Sequence, residues 1–226
     1  MPRDTLDRQI NNIKDEVLIL GNMIEQATLM SVDALKNRDV KAAHDLIVED
    51  QLVNEKRFAI ENAVLILIAT QQPIARDLRI LTAILEVSTE LERMGDYAKG
   101  ICKVVINMGD NDIPIPIRDL IKMAELAVAM LHKGLSAFVN ENFRLAQSIS
   151  LEDDAVDALY HKVYRHVAEI ISANPAIFDD AHLLLWVAHN LERLADRVTN
   201  ICERTVFIAT GEMLEMDSTD DEDESE

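Results

Sequence analysis

Apolar residues recur along this chain in alternating steps of four and three. Leu6, Ile10, Ile13, Val17, Leu20, Ile24 and Ala27 open the pattern. Residues so spaced line one side of an α-helix, which predicts a first helix from about Thr5 to Lys36. Asn37-Arg38-Asp39 interrupts it. Leu46, Val53, Ile60, Val64 and Leu67 carry a second helix from about Val40 to Ala69, ended by Gln71-Gln72-Pro73. Ile84, Val87, Leu91, Met94, Ala98, Ile101 and Val105 mark a third, which starts near Ile74 or Arg76. It stops before Gly109-Asp110-Asn111-Asp112-Ile113-Pro114-Ile115-Pro116, a stretch whose prolines and glycine end helices.

The second half repeats this plan. A fourth helix is expected over about Ile117 to Val139, a fifth over Phe143 to Ser172, and a sixth over Asp179 to Ala209. Asn174-Pro175 makes the last turn, and Leu184, Val187, Leu191, Leu194, Val198 and Ile201 form the last stripe. The repetition extends to individual residues. Leu91-Glu92-Arg93-Met94-Gly95-Asp96 returns 100 residues later as Leu191-Glu192-Arg193-Leu194-Ala195-Asp196, and Ile101-Cys102 returns as Ile201-Cys202. Earlier in the copies the offset is 103, placing Glu49-Asp50 on Glu152-Asp153. Short turns make consecutive helices antiparallel neighbours. The expected fold is all-α, with two tandem antiparallel three-helix bundles related by internal duplication. The first covers residues 1–109, a linker covers 110–116, the second bundle covers 117–211, and an acidic disordered tail covers 212–226.

Composition agrees. Hydrophobic residues make up 49% and aromatics only 4%, so the core must be aliphatic, and 6 Gly with 5 Pro leave long helices unbroken. The net charge is −19, and residues 212–226 hold nine acids and no base. That charge disfavours nucleic acid and anionic membranes, both of which need a basic surface. The longest apolar run, Ala63 to Ala69, falls far short of a membrane span, and no secretory leader is visible. A cytoplasmic protein is expected. Cys102 and Cys202 sit close to the apolar stripes and read as core, because a disulfide framework needs more cysteines.

The chemistry lies in the carboxylates. Glu92 and Asp96 are four apart, hence neighbours on one helix face, and so are Glu192 and Asp196. Asp153 and Asp157 form a second such pair on the preceding helix, and Asp50 and Asn54 match them in the first copy. Counting back from the turns at Pro73 and at Asn174-Pro175, the two pairs of each copy fall at one height on adjacent helices. Asp50, Asn54, Asp153 and Asp157 also lie on the apolar side of their helices, where a carboxylate is costly without compensation. Oxygen donors meeting at one level suit Fe, Mn, Mg, Ca or Zn. Glu92, Asp96, Glu192 and Asp196 lie off the stripes, which predicts an open patch able to hold several ions and to accept an anion such as phosphate.

Other readings compete. Arg57, Arg93, Arg193 and Arg197 stand near the acids and would satisfy them as ion pairs in a metal-free scaffold. A carboxylate-bridged di-metal oxidase of the ferritin-like type, a ferroxidase, would need ligands on the bundle axis, where the stripes are apolar. His189, three residues before Glu192, is matched by Thr89 and reads as a helix-surface histidine; His161 is a peripheral candidate matched by Phe58. No phosphate-cradling glycine loop, nucleophile–base–acid set or Cys-x-x-Cys is present.

Leu91 to Asp96, its copy Leu191 to Asp196, Gln72-Pro73-Ile74-Ala75-Arg76-Asp77-Leu78-Arg79 and Glu152-Asp153-Asp154-Ala155-Val156-Asp157 together resemble the PhoU family, regulators of the phosphate-specific transport system. The likeness runs over about residues 5 to 211. It implies two similar three-helix bundles and a cytoplasmic, often dimeric protein that is not an enzyme. It also implies metal clusters, of iron or zinc among others, on the paired motifs. The implied action restrains phosphate uptake through the transporter's ATPase subunit and the phosphate-sensing histidine kinase. Carried over by residue, the implied ligands are Asp50, Glu92 and Asp96 in the first copy and Asp153, Asp157, Glu192 and Asp196 in the second. Iron, zinc, manganese and magnesium are the candidate cofactors. Asn54 departs from the pattern by offering a neutral oxygen.

Overall fold

The computed structural model describes residues 2–109 and 116–216. The expected linker, apart from Pro116, and the tail from residue 217 onward lie outside the described residues. Helices α1 (Pro2–Asn37), α2 (Val40–Gln71) and α3 (Arg76–Met108) form the first unit. Helices α4 (Ile117–Val139), α5 (Phe143–Ser150), α6 (Asp154–Ala173) and α7 (Phe178–Thr210) form the second, with a 3₁₀ turn at Pro175–Ile177.

Local chemistry sets the helix ends. Asp39 accepts the Ala42 N–H at 2.9 Å and so caps α2. Asn142 accepts the Leu145 N–H at 3.2 Å and caps α5. Between the helices, every position of the third and sixth predicted stripes is buried. The cysteines are buried as well, Cys102 at 1% exposure and Cys202 at 0%. The apolar stripes of α3 and α7 thus form the centre of the core.

One expected helix is two. The predicted run from Phe143 to Ser172 is interrupted at Leu151–Asp153, between α5 and α6. The Ser148 and Ser150 hydroxyls donate to the carbonyls of Leu145 and Gln147, three residues back. Such bonds compete with the helical ladder. Beyond them the backbone tightens to three-residue steps, with Glu152 N donating to Ile149 O at 2.8 Å and Val156 N to Asp153 O at 2.7 Å. The tightened turn leaves Leu151 exposed and Asp153 only 2% exposed.

The two units share one continuous core. They meet through α3 against α7 and α1 against α4, so the first and last helices of one copy pair with their counterparts in the other, while α2 and α6 stay apart on the outer flanks. Tyr97 faces Arg193 and Arg197, Glu86 pairs with Arg204, and Gly211 lies beside Arg79, which makes α3 and α7 antiparallel. Lys14 reaches Val139 and Glu141 while Glu25 reaches His132, which makes α1 and α4 antiparallel too. Equivalent helices paired head to tail are what a pseudo-twofold axis between the copies produces. The α1–α4 approach depends on Gly21, where a Cβ would stand 2.1 Å from Leu135 Cδ1. After α7, residues 211–216 turn back along the helix, and the Met216 N–H donates to Glu203 Oε1 at 2.9 Å.

Candidate metal centre

The α6–α7 hairpin brings three of the predicted ligands together. One oxygen from each of Asp153, Asp157 and Asp196 lies within 4.8 Å of the others, and no other such trio of acids, histidines or cysteines occurs among the described residues. Asp153 comes from the tightened turn, Asp157 from the first turn of α6, and Asp196 from the middle of α7. Asp153 is buried and the other two are half-buried, so the trio opens to solvent on one side.

Glu192 is close enough to the trio to feel the charge of all three aspartates. Its Oε2 is buried and makes no hydrogen bond. His189 Nδ1 lies 3.3 Å away but is not aligned to donate. Burial pushes the Glu192 carboxyl up to about 7, and Asp196, Asp157 and Asp153 add to the rise against the opposing charge of Arg193. Burial of this kind favours the neutral carboxyl, which a proton or a bound cation can each satisfy. His189 packs among Tyr160 and Trp186, and burial followed by Arg193 holds its pKa below the ordinary value. It is therefore half-buried rather than on the open helix surface. His161 is exposed beside Tyr160.

The first copy is built differently at the same level. Asp50 is 8% exposed and accepts a hydrogen bond from Lys99 Nζ at 2.6 Å. Lys99 Nζ also lies 4.0 Å from Asp96, whose side chain is 56% exposed. The bond to Asp50 raises the Lys99 pKa above its ordinary value. Asn54 Nδ2 donates to the Asp50 carbonyl at 3.2 Å. Glu92 is half-buried; burial and then Asp96 raise its pKa, with Arg57 opposing. Lys99 went unnoticed in the sequence, although the offset of 100 that matches Asp96 to Asp196 sets it against Thr199.

The neighbouring arginines act on the acids by their charge and also hold partners on the seam and on α2. Arg93 pairs with Glu90 at 3.2 Å, and Arg197 pairs with Glu90 at 3.1 Å. Arg193 Nε and Arg197 Nε both donate to Tyr97 Oη at 3.3 Å. Arg57 pairs with Glu61 at 2.8 Å. These contacts build the seam between α3 and α7 and the flank of α2.

The donor set of the second copy fits a hard or borderline cation. It offers four carboxylates, one buried oxygen without a hydrogen bond, and an opening to solvent.

Comparison with known proteins agrees with the duplication. The PhoU domain model matches residues 17–105 and again 120–205. A phosphate-specific transport system accessory protein PhoU homolog from Clostridium acetobutylicum is 30% identical over 217 residues, covering 96% of this chain and 99% of that protein. The accessory protein PhoU of Escherichia coli K12 is 30% identical, covering 90% of this chain and 85% of its own. A crystal structure of the phosphate transport system regulatory protein PhoU from Streptococcus pneumoniae superposes with a TM-score of 0.86 at 30% identity, covering 92% of this chain and 99% of that one.

Proposed function

The chain belongs to the PhoU family, and we propose that it is a metal-binding regulator of phosphate uptake and phosphate-starvation signalling. The relatives that match nearly all of it are named accessory proteins of a phosphate-specific transport system, a regulatory role and not that of an enzyme. No helix among the described residues is long and apolar enough to cross a membrane. In this reading, which rests on the family likeness, it acts in the cytoplasm on the transporter's ATPase subunit and the phosphate-sensing histidine kinase. The expected homodimer belongs to the same reading.

The observation that carries metal binding is the meeting of Asp153, Asp157 and Asp196 within 4.8 Å across the α6–α7 hairpin. These three, with Glu192, would hold the ion. When bound, iron, zinc, manganese or magnesium supplies positive charge that draws the two helices together and attracts an anion such as phosphate. Asp153 is fixed by the tightened turn, and Asp196 by the buried residues Leu194, Ala195 and Val198 around it. The chain thus presents its oxygens preorganised. A ferritin-like oxidase would need ligands on a bundle axis, and the buried stripes of α3 and α7 are apolar at every position.

Two measurements test this reading. A variant carrying Glu192→Ala and Asp196→Ala should fold with unchanged helicity and lose the bound metal found by elemental analysis. Wild-type metal content in that variant refutes the site. Separately, the protein should retain the ATPase subunit of a phosphate transporter in a binding assay; failure to do so refutes the partner.

A further inference from the structure

Two of the differences between the copies of the acidic site subtract from the first copy's need for a cation. Asn54 stands where the second copy has Asp157, removing a negative charge. Lys99 stands where it has Thr199, adding a positive one. Thr199 turns its hydroxyl to its own helix, donating to the Asp196 carbonyl at 2.6 Å, and leaves the second site untouched. Lys99 does the opposite, placing its ammonium 2.6 Å from buried Asp50 and 4.0 Å from Asp96.

We propose that Lys99 is the resident cation of the first copy, so that metal is taken up by the second copy alone. This rests on the reading of the second copy as the metal site. Asp50 is the counterpart of Asp153, the most enclosed carboxylate of the second site. An ion entering the first copy would have to expel an ammonium tethered to the same chain and so present at high effective concentration. It would find three carboxylates rather than four in return. Buried Asp50 is already charge-neutralised and hydrogen-bonded, so it gains little from the exchange. A cavity of about 320 Å³, lined by Met23, Leu46 and Val53 together with Gln26 and Glu49, reaches both Asp50 and Lys99. Access is thus open, and the first copy is closed to metal by its charge rather than by its walls. These two differences leave the duplicated chain with a single metal-responsive half.

Titration with Mn(II) in four proteins tests it: wild type, a second-copy knockout (Asp157→Asn, Asp196→Asn), a first-copy opening (Asn54→Asp, Lys99→Thr), and the two combined. Circular dichroism checks the folding of each. Wild type and the combined protein should each show one set of sites, the knockout none, and the opened protein two. Mn(II) uptake by the knockout, or none by a folded combined protein, overturns the role of Lys99. Uptake by the combined protein with none by wild type would leave that role standing and defeat the second-copy site instead. A measurement on wild type alone covers the case where a variant does not fold. Saturating Mn(II) should leave the labelling of Lys99 by an amine-reactive reagent unchanged, and a rise of severalfold would show the ammonium displaced by metal and overturn the proposal.

Discussion

The Tyr97 hydroxyl of α3 accepts the Arg197 Nε–H of α7 at 3.3 Å, joining the residues that directly follow Asp96 and Asp196 in the two copies. Arg193, which follows Glu192, donates to the same oxygen. The acidic motif of each copy is thus one residue away from the seam between the bundles. On the proposed function, a cation drawing on Asp196 would bear on Arg197 and through Tyr97 on α3.

Replacing Tyr97 by Phe removes the shared acceptor and keeps the ring. The change should cost about 1 kcal/mol, the usual worth of such a bond. For a chain of this size that lowers the melting temperature by roughly 2–4 °C. Calorimetry on wild type and Tyr97→Phe measures it, and an unchanged midpoint would show that the bond is not contributing.

The close approach of α1 and α4 at Gly21 gives a second expectation. A methyl there meets Leu135 Cδ1, and the buried Leu135 must leave its rotamer to make room. Gly21→Ala should destabilise by on the order of 1 kcal/mol, and Leu135→Val in the same chain should recover part of the loss. Denaturant unfolding of both variants gives the comparison.

Most of the helical frame was legible in the sequence because a 3.6-residue period shows through an aliphatic chain with few breakers. Predicted and observed ends agree within a few residues for α1, α2, α3, α4 and α7. The break at Leu151–Asp153 was not legible: Ser148 and Ser150 look like ordinary surface residues of a helix until their hydroxyls are seen bonded backwards. The clustering of Asp153, Asp157 and Asp196 followed from counting residues outward from the turn. Lys99 was hidden because its partner Asp50 lies 49 positions away on another helix. Tyr97 was hidden in the same way, since nothing in Gly95-Asp96-Tyr97 announces that the two copies meet there.

Glu192 makes stability depend on pH in the metal-free protein. Its carboxyl titrates near 7 in the folded chain against 4.5 ordinarily, so between those values the folded chain holds the extra proton. The stabilisation is complete below about 4.5 and is lost as pH rises through about 7. Discounted for solvent screening, it amounts to on the order of 2 kcal/mol. Urea unfolding in chelator at pH 5 and pH 8 should show the loss, and Glu192→Gln should flatten it. Equal slopes for variant and wild type would contradict the assignment.

Metal should reverse that trend. Binding replaces the proton on Glu192, so uptake below pH 7 releases protons and affinity rises with pH up to that point. At a free ion concentration a hundredfold above the dissociation constant, the folded state gains about 2.7 kcal/mol. The midpoint of thermal unfolding at pH 8 should therefore rise on adding Mn(II) and fall back on adding chelator. No shift in either direction would speak against an ion held by the folded state.

Anomalous X-ray scattering from crystals grown with Mn(II) or Zn(II) reads the site directly. A peak is expected between α6 and α7, within coordination distance of Asp153, Asp157 and Asp196, with none beside Lys99. A map with no peak at that trio, or with its peak on the first copy, would contradict the metal centre assigned to this protein.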